Sequence, residues 1–228
     1  TPTIFTEESE RLQYQNVMPI DDKTNKLEKS YGANADINYR TYIGEDWSFS
    51  INQLFFYTYL DNPLLLENSS ANLYQFVNSP GYIHTKGTET NIKIGYDDLK
   101  LFLGYTYTDA RLNQNGTTVE SPLTPKHRIN SILMYEIEDK WKIGLEAYYF
   151  SRQKLNNGTT GKDYFITGFM AEKIWERFSL YINFENFLDT RQTRFGSIYT
   201  GTITNPVFKD IYAPLDGFVI NGGIKFKL

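Results

Sequence analysis

Apolar and polar residues alternate with a period of two along nine segments of this sequence, and most of these segments are long. In segment 29–43, Tyr31 and Ile37 share one parity, whereas Asp36 and Asn38 share the other. Successive side chains of a β-strand point to opposite faces, so the pattern predicts strands with one apolar and one polar face. The predicted strands are 29–43, 46–60, 85–96, 98–111, 126–138, 140–152, 163–174, 176–187 and 216–228.

The length of these strands separates two all-β architectures. Strands of soluble proteins average about 5–6 residues, whereas a strand that crosses a bilayer needs about 9–11. A membrane strand also has lipid on one face and water on the other, which explains the alternation. We therefore predict an all-β protein: an antiparallel transmembrane β-barrel wall of about nine long strands, with no helical segment. A soluble sugar-binding sandwich would need shorter strands whose apolar faces meet each other.

The connections between the predicted strands alternate in length. The short ones are 44–46, 97–98, 138–139 and 175–177, and the long ones are 61–81, 112–125, 153–162 and 188–215. Outer-membrane barrels have short periplasmic turns and long extracellular loops. Residues 1–28 show little alternation and precede a strand that enters from outside, so we expect an extracellular loop segment there. Each tryptophan lies beside a short turn, as in an interfacial aromatic girdle; they are Trp47, Trp141 and Trp175.

Composition agrees with a membrane barrel and excludes several other classes. Aromatic residues make up 16% of the chain, yet the mean hydropathy is −0.47, as expected when half of the side chains face lipid and half face water. The net charge of −4 does not suit a nucleic-acid partner. With no cysteine and two histidines, disulfides and thiolate or all-histidine metal sites are not expected. No nucleophile-elbow, Walker or zinc signature occurs, so we predict no enzyme, catalytic residue, metal site or cofactor.

The strand count leaves two architectures open. Nine is odd, whereas single-chain bacterial barrels have even strand numbers, and an open sheet would leave two bare edges in lipid. Either residues 1–28 supply a tenth strand of a small barrel, or 29–228 are the C-terminal strands of a larger one. Four charged residues argue against a membrane strand in 1–28: Glu7, Glu8, Glu10 and Arg11.

Five motifs, in order along the chain, carry a resemblance to a known family. They are LEKSYGANADINYR (27–40), GTETNIKI (87–94), LGYTYTDAR with LTPKHRINSILMYE (103–111 and 123–136), NFENFLDTRQTRFG (183–196) and GFVINGGIKFKL (217–228). The chain resembles the C-terminal barrel region of TonB-dependent outer-membrane receptors, particularly those of Bacteroidetes-type bacteria. It departs from the family pattern at Leu228, where the family often ends in Phe, and at Phe187, where Leu is commoner.

The resemblance implies a fold and a transport function. It implies a 22-stranded barrel of which this chain supplies the last nine strands, together with an N-terminal plug and a TonB-contacting segment that this chain lacks. It also implies a place in outer-membrane lipid and import of a scarce, bulky solute without chemistry on it. A ferric siderophore is the favoured cargo, and haem, cobalamin or a glycan are alternatives. The competing hypothesis is a complete small barrel acting as a passive pore, adhesin or membrane enzyme.

The motif NFENFLDTRQTRFG lies where the eighth predicted strand leaves the membrane, and it permits two interpretations. In the structural one, Asn186 and Asp189 bond turn backbone and Arg191 pairs with acids on neighbouring strands. In the functional one, the loop 188–215 contacts an anionic, partly aromatic ligand such as a small-molecule metal chelate, and loop 61–81 is a second candidate. The candidate contact residues are Arg191, Arg194, Phe195, Tyr199, Phe208 and Tyr212.

Charged residues on the polar faces are predicted to form salt bridges between strands rather than acid–base pairs. The glutamates concerned are Glu89, Glu136, Glu146 and Glu185, and their expected partners are Arg40, Lys93, Lys142 and Lys225. His84 and His127 lie near long loops, where we expect surface roles and no ligation of metal or haem.

Overall fold

All nine predicted strands are present in the computed structural model, which describes residues 17–20, 23, 25–70 and 73–226. They lie side by side in one sheet, in chain order, and successive strands from Leu99–Gln114 to Val219–Phe226 pair antiparallel. Their bounds are β1 Lys29–Ile43, β2 Trp47–Asp61, β5 Gly81–Tyr96, β6 Leu99–Gln114, β8 His127–Ile137, β9 Trp141–Phe150, β10 Tyr164–Ile174, β11 Phe178–Glu185 and β14 Val219–Phe226. The prediction of an all-β antiparallel sheet with about nine long strands is confirmed.

Five further strands and one short helix lie in the connections that were expected to be loops. They are β3 Leu64–Ser70, β4 Leu73–Asn78, β7 Thr117–Glu120, β12 Tyr199–Thr202, β13 Asn205–Phe208 and α1 Gln192–Phe195. The prediction that no helix interrupts the strands is therefore wrong at α1. A single four-residue turn is too short to show the 3.6-residue periodicity by which a helix is recognised in a sequence.

The chain divides into two compact units: unit 1 comprises 1–34, 56–86 and 109–121, and unit 2 comprises 35–55, 87–108 and 122–228. In unit 1, β3 and β4 form a hairpin, and β7 pairs with the end of β6. The described part of segment 1–28 follows this hairpin: Val17 bridges to Tyr74, and Asn25 Nδ2 donates to the Phe76 carbonyl at 2.8 Å. Residues 1–16, and with them most of the alternative tenth strand, lie outside the described residues, as does Leu228.

The apolar face of unit 2 is continuous across its strands. The antiparallel registers place six apolar side chains in a single row, which runs Leu101, Leu133, Leu145, Phe169, Phe184 and Ile220. Several of them are exposed, Leu145 by 45% and Ile220 by 55%. Among the described residues only Tyr164 and Ala213 are both hydrophobic and buried. The apolar side chains thus form an outer surface rather than a core, as in a wall that faces lipid.

The strand predicted at 163–174, where apolar residues fall on both parities, is β10. Ile166 and Met170 share the polar face of the sheet with Glu172, whereas Phe165 and Phe169 lie on the apolar face. Both faces of β10 therefore carry apolar side chains, which explains the ambiguous pattern.

The short turns of unit 2 define one edge of the sheet, called here the turn edge. Trp47 begins β2, Trp141 begins β9 and Trp175 follows β10. The Trp47 ring lies 4.4 Å from that of Tyr96, and the Trp175 ring lies 4.8 Å from that of Phe178. This aromatic row suits the predicted girdle. No helix in the described part of the chain is long and apolar enough to cross a membrane.

Candidate ligand-contact site in the last long loop

Asn186 and Asp189 form the rim cluster together with Arg191 and Arg194. Asn186 and Asp189 both have positive φ, 47° and 54°, a conformation that Asn and Asp tolerate better than most residues. The Asn186 side chain accepts from the Thr190 amide at 3.0 Å and donates to the carbonyls of Thr190 and Asp216 at 2.9 and 3.2 Å. The predicted bonding of turn backbone by Asn186 is thereby confirmed.

Both arginines of the rim cluster bind the same carboxylate. Arg191 Nη2 donates to Asp189 Oδ2 at 2.8 Å, and Arg194 Nη2 donates to the same oxygen. The prediction that Arg191 pairs with acids on neighbouring strands is wrong, because the turn at Asp189 brings Arg191 and α1, which contains Arg194, back over the carboxylate. Arg191 Nε is buried and has no hydrogen-bond partner among the described residues.

The charge of Asp189 is stabilised by these neighbours. Partial burial raises the pKa of its carboxyl. The Phe218 amide and the guanidinium groups of Arg191 and Arg194 together lower this pKa by more than burial raises it. The net result is a pKa below the ordinary value. Asp189 is therefore ionised at neutral pH and holds both arginines.

Gln192, which the sequence did not single out, organises the second half of the loop. Its side chain is 6% exposed. Nε2 donates to the Asp210 carbonyl at 2.6 Å, and Oε1 accepts from the amides of Tyr212 and Ala213 at 2.7 and 3.1 Å. The only sequence signal was an amide between two arginines, which by itself does not indicate burial.

Phe195 and Tyr212, two of the predicted contact residues, are brought together. Their rings lie 6.5 Å apart and are nearly parallel, at 15°. Lys162 Nζ lies 5.7 Å from the Phe195 ring, and the Lys162 amide donates to the Tyr212 hydroxyl at 3.0 Å. The neighbouring loop 153–162 is thus bonded to the last loop.

Tyr199 and Phe208 form another pair on the β12–β13 hairpin. They are register partners with ring centroids 6.4 Å apart in an edge-on arrangement. Both are exposed, Phe208 by 68%. The six predicted contact residues therefore occur as three pairs: two arginines on Asp189, Phe195 on Tyr212, and Tyr199 on Phe208.

An open cleft of ≈ 400 Å³ lies beside this loop, and it is called here the mouth cleft. Arg128 lies over the Phe150 ring, 5.1 Å from its centroid, and the Phe150 ring stacks on Tyr164 at 4.9 Å. The Tyr164 hydroxyl donates to the Tyr212 carbonyl at 2.8 Å. Gln153 also lines the cleft. No carboxylate of the described residues forms a salt bridge with Arg128.

Arg128 is thus a functional candidate that the sequence did not yield. Its place in the motif LTPKHRIN, directly after a long connection, was the available signal. A guanidinium held over an aromatic ring, with a second ring stacked beside it, can bind an anionic group and a flat ring together.

The polar face of unit 2 carries the ion pairs. Glu136 bonds Lys142 at 2.9 Å and Lys100 at 3.1 Å, so the predicted salt bridge between strands is confirmed for Glu136, with Lys142 as one of the expected partners. Lys225 pairs instead with Glu172, at 3.2 Å. The register explains why Lys225 pairs with Glu172. Glu172 is opposite Tyr181 and Lys225 is opposite Ser179, so the two charged residues lie in adjacent rows of the same face.

Glu89, Glu146 and Glu185 form no salt bridge in the described part of the chain, so the prediction is wrong for these three, because neutral groups bind their carboxylates. Glu89 accepts from Asn91 at 2.6 Å. Glu146 accepts from the Tyr148 hydroxyl at 2.8 Å. Glu185 accepts from two amides, those of Asn183 at 2.9 Å and Asn221 at 2.8 Å.

The described residues show no group of three potential metal-ligating side chains. In unit 1, the His84 ring lies 5.9 Å from that of Tyr82. In unit 2, His127 Nδ1 shares a hydrogen bond with the Tyr105 hydroxyl at 2.9 Å. Both histidines therefore contact aromatic side chains.

Comparison with known proteins gives a consistent result. Residues 7–187 match the family model described as TonB dependent receptor-like, beta-barrel. No curated protein sequence matches the chain.

Solved structures of low sequence identity share the fold. The ferric enterobactin receptor PfeA of Pseudomonas aeruginosa, as a G324V mutant, is 16% identical with a TM-score of 0.63, over 91% of this chain and 32% of its own. The siderophore receptor PirA of Acinetobacter baumannii is 16% identical with a TM-score of 0.60, over 89% and 32%. The pyoverdine receptor FpvA of Pseudomonas aeruginosa PAO1, bound to pyoverdine, is 19% identical with a TM-score of 0.56, over 87% and 30%. The chain thus spans about a third of the length of these structures.

Proposed function

Because the chain belongs to the TonB dependent receptor-like β-barrel family of the bacterial outer membrane, we propose that it forms part of a receptor that imports a scarce, bulky solute. The favoured cargo is a ferric siderophore, and haem, cobalamin or a glycan are the alternatives. The receptor captures the solute at the loops and passes it inward without altering it, so no catalytic residue is required.

The observation that carries this proposal is the mouth cleft with the guanidinium of Arg128, which forms a salt bridge with no carboxylate of the described residues. Arg128 and the rings of Phe150 and Tyr164 offer positive charge and flat apolar surface at one place. Many iron chelators combine negative charge with aromatic rings, and such ligands suit a site of this kind. The same class of cargo is supported by the similar structures, since PfeA is a ferric enterobactin receptor, PirA a siderophore receptor and FpvA a pyoverdine receptor.

The last long loop supplies further contacts in this proposal. The exposed aromatic residues of β12 and β13 are available to a ligand directly. Arg191 and Arg194 take part only if the cargo competes with Asp189 for them. The proposed loop contacts remain Arg191, Arg194, Phe195, Tyr199, Phe208 and Tyr212.

The polar face suits a packed interior partner. A hollow of ≈ 390 Å³ in unit 2 is lined by apolar side chains such as Met134 and Met170. Gly144 leaves it open, because a Cβ at this position would meet nothing within 4 Å. In our proposal this face is the lumen, and an N-terminal plug domain fills it and connects to the TonB complex. Residues 29–228 would then be the C-terminal strands of a 22-stranded barrel, and 1–28 an extracellular segment.

The mass of the native polypeptide tests this domain assignment. Purified outer membranes are probed with an antibody to loop 188–215. We expect a band several-fold above the 26.6 kDa of this chain. A band near 26.6 kDa would instead support a small barrel acting as a pore, adhesin or membrane enzyme.

Binding measurements on the full-length receptor test the cargo. A panel of ferric catecholate, ferric hydroxamate, haem, cobalamin and oligosaccharide ligands is titrated against the wild type, Arg128→Ala and the double variant Arg191→Ala with Arg194→Ala. Arg177→Ala is the matched control, because this exposed arginine lies in the turn 175–177 at the turn edge. We expect tight binding of one ferric chelate, weakened at least about tenfold by Arg128→Ala, as for loss of a charge-assisted hydrogen bond.

Two results would count against the proposal. Binding of an oligosaccharide or cobalamin in place of every iron chelate would reject the favoured cargo while keeping the transport function. Unchanged affinity in the arginine variants would remove the mouth cleft and the rim arginines from the site.

A further inference from the structure

Lys173 is a cation on the apolar face of the sheet. Its register partners are Trp141 on β9 and Leu180 on β11. Lys173 Nζ lies 4.4 Å from the Trp141 ring centroid and 5.8 Å from that of Trp175. A lysine on a lipid-facing surface places its ammonium group at the level of the lipid headgroups.

The described residues offer this ammonium group no carboxylate. Lys173 forms none of the salt bridges of the described region. Its chain neighbour Glu172 points to the other face, where it pairs with Lys225 and accepts from Ser179. The positive charge of Lys173 is therefore positioned by two indole rings and remains available to an external anion.

A groove of ≈ 390 Å³ begins beside Lys173 on the same face. It runs from the Trp141–Lys173–Leu180 row to the next row, where Ala171 lies between Ile143 and Ile182. Gly222 continues this second row on β14. Because Ala171 carries only a methyl group, the second row is recessed at this position, between the larger side chains of Ile143 and Ile182. Ile224 on β14, the register partner of Leu180, extends the first row and also lines the groove.

The order of charge and apolar groove along the strand matches the order of headgroup and acyl chain in a lipid. Lys173 lies directly beside the turn 175–177, whereas Ala171 lies two residues, or about 6.6 Å, farther along the strand. The charge is thus at the turn edge and the apolar recess is deeper in the bilayer. Short turns of outer-membrane barrels are periplasmic.

We propose that this is a specific site for one glycerophospholipid of the periplasmic leaflet. Lys173, held by Trp141 and Trp175, binds the phosphodiester, and one acyl chain lies in the groove over Ala171. The phosphate provides the missing anion, and the chain fills a recess that the protein leaves open. The site lies at the opposite edge of the sheet from the cargo loops, so it is independent of the proposed cargo.

Native mass spectrometry of the full-length protein tests the proposal. Delipidated protein in mild detergent is titrated with dioleoylphosphatidylglycerol and, separately, with dioleoylglycerol, which has the same chains without the phosphate. The variants are Lys173→Gln, Lys173→Arg, which keeps the charge, and Ala171→Phe, which fills the groove. Lys140→Gln is the matched control, because Lys140 is an exposed lysine at the same edge.

We expect one retained phosphatidylglycerol in the wild type, Lys140→Gln and Lys173→Arg. Its affinity should fall about fivefold in Lys173→Gln, which corresponds to about 1 kcal/mol for a cation near a phosphate surface. Ala171→Phe should weaken phosphatidylglycerol binding as well. If Ala171→Phe does not fold, the result for Lys173→Gln alone decides. Equal retention in Lys173→Gln and the wild type would overturn the proposal. So would equal binding of dioleoylglycerol, or occupation of this face by a second copy of the protein in place of lipid.

Discussion

Asp189 Oδ1 accepts the backbone N–H of Phe218 at 3.1 Å, across 29 residues of chain. Asp189 stands just after β11 and Phe218 just before β14. The other carboxylate oxygen binds Arg191 and Arg194. One side chain therefore joins both ends of the last long loop and fixes the two arginines at its start.

Removing the Asp189 carboxylate should loosen this loop without unfolding the sheet. In Asp189→Ala all three bonds are lost, whereas Asp189→Asn keeps an acceptor for Phe218 and loses the charge that holds the arginines. We expect faster amide hydrogen exchange across 190–217 in both variants, with the larger effect in Asp189→Ala. Asp163→Asn is the control, because Asp163 faces a single arginine at 3.4 Å. If the amide hydrogen exchange of 190–217 is the same in Asp189→Ala as in Asp163→Asn, Asp189 does not hold this loop.

The same carboxylate makes the loop sensitive to acid. Its pKa in the folded protein lies below the ordinary value of about 3.9. A lowered pKa means that Asp189 stabilises the loop fully above about pH 4, and that this contribution is lost as the pH falls through the folded-state pKa. Limited proteolysis of 190–217 should therefore be constant between about pH 7 and pH 5 and increase below about pH 4. Asp189→Asn should lack this transition, and a transition near neutral pH would assign it to another group.

Gly217 should not accept even a methyl group. A Cβ at this position would overlap Asp189 Oδ1 and lie 2.9 Å from Arg191 Cδ. We expect Gly217→Ala to displace the rim cluster and to raise the protease sensitivity of the loop to the level of Asp189→Ala. Gly144→Ala serves as the comparison, because a Cβ there meets nothing within 4 Å. If both alanine variants behave alike, the close approach at Gly217 is not what holds the rim cluster.

Gln192 should be the most sensitive amide of the loop. Gln192→Leu leaves the Asp210 carbonyl and the amides of Tyr212 and Ala213 unpaired, at about 1–3 kcal/mol for each buried group. We expect local unfolding of 210–214 and weaker stacking of Tyr212 on Phe195, measurable as hydrogen exchange at these amides. Thr193→Ala, an exposed change in the same helical turn, should have no such effect. Protection of 210–214 that survives Gln192→Leu would show that other contacts hold the segment.

The strands could be predicted from sequence because lipid and water impose opposite requirements on alternate residues. The short turns restrict the registers, and the bounds of β8, β9, β10, β11 and β14 agree with the predicted ones to within three residues. The β12–β13 hairpin was missed because it lies outside the bilayer, where no such requirement acts. Tyr199, Thr200 and Thr202, which are residue types that favour strands, were the available signal, although Pro206 weakened it.

The candidate site was less predictable, because its contacts join segments that are distant in sequence. Arg191 was expected to reach a neighbouring strand, but positive φ at Asp189 turns the chain back on itself. Arg128 was overlooked because it lies within a predicted strand, and the sequence pattern therefore indicated only a residue of the barrel wall. Its stacking on Phe150 depends on the β8–β9 register, which the alternation fixes only in parity.

The scarcity of buried apolar side chains has a consequence for biogenesis. A soluble protein buries its apolar side chains in its own hydrophobic core, whereas the apolar face of this sheet is removed from water by the lipid of the bilayer. Before insertion, the aromatic and aliphatic row from Leu101 to Ile220 has nothing to pack against in water. We therefore expect the chain to cross aqueous compartments unfolded and bound to an escort, and to fold as it inserts.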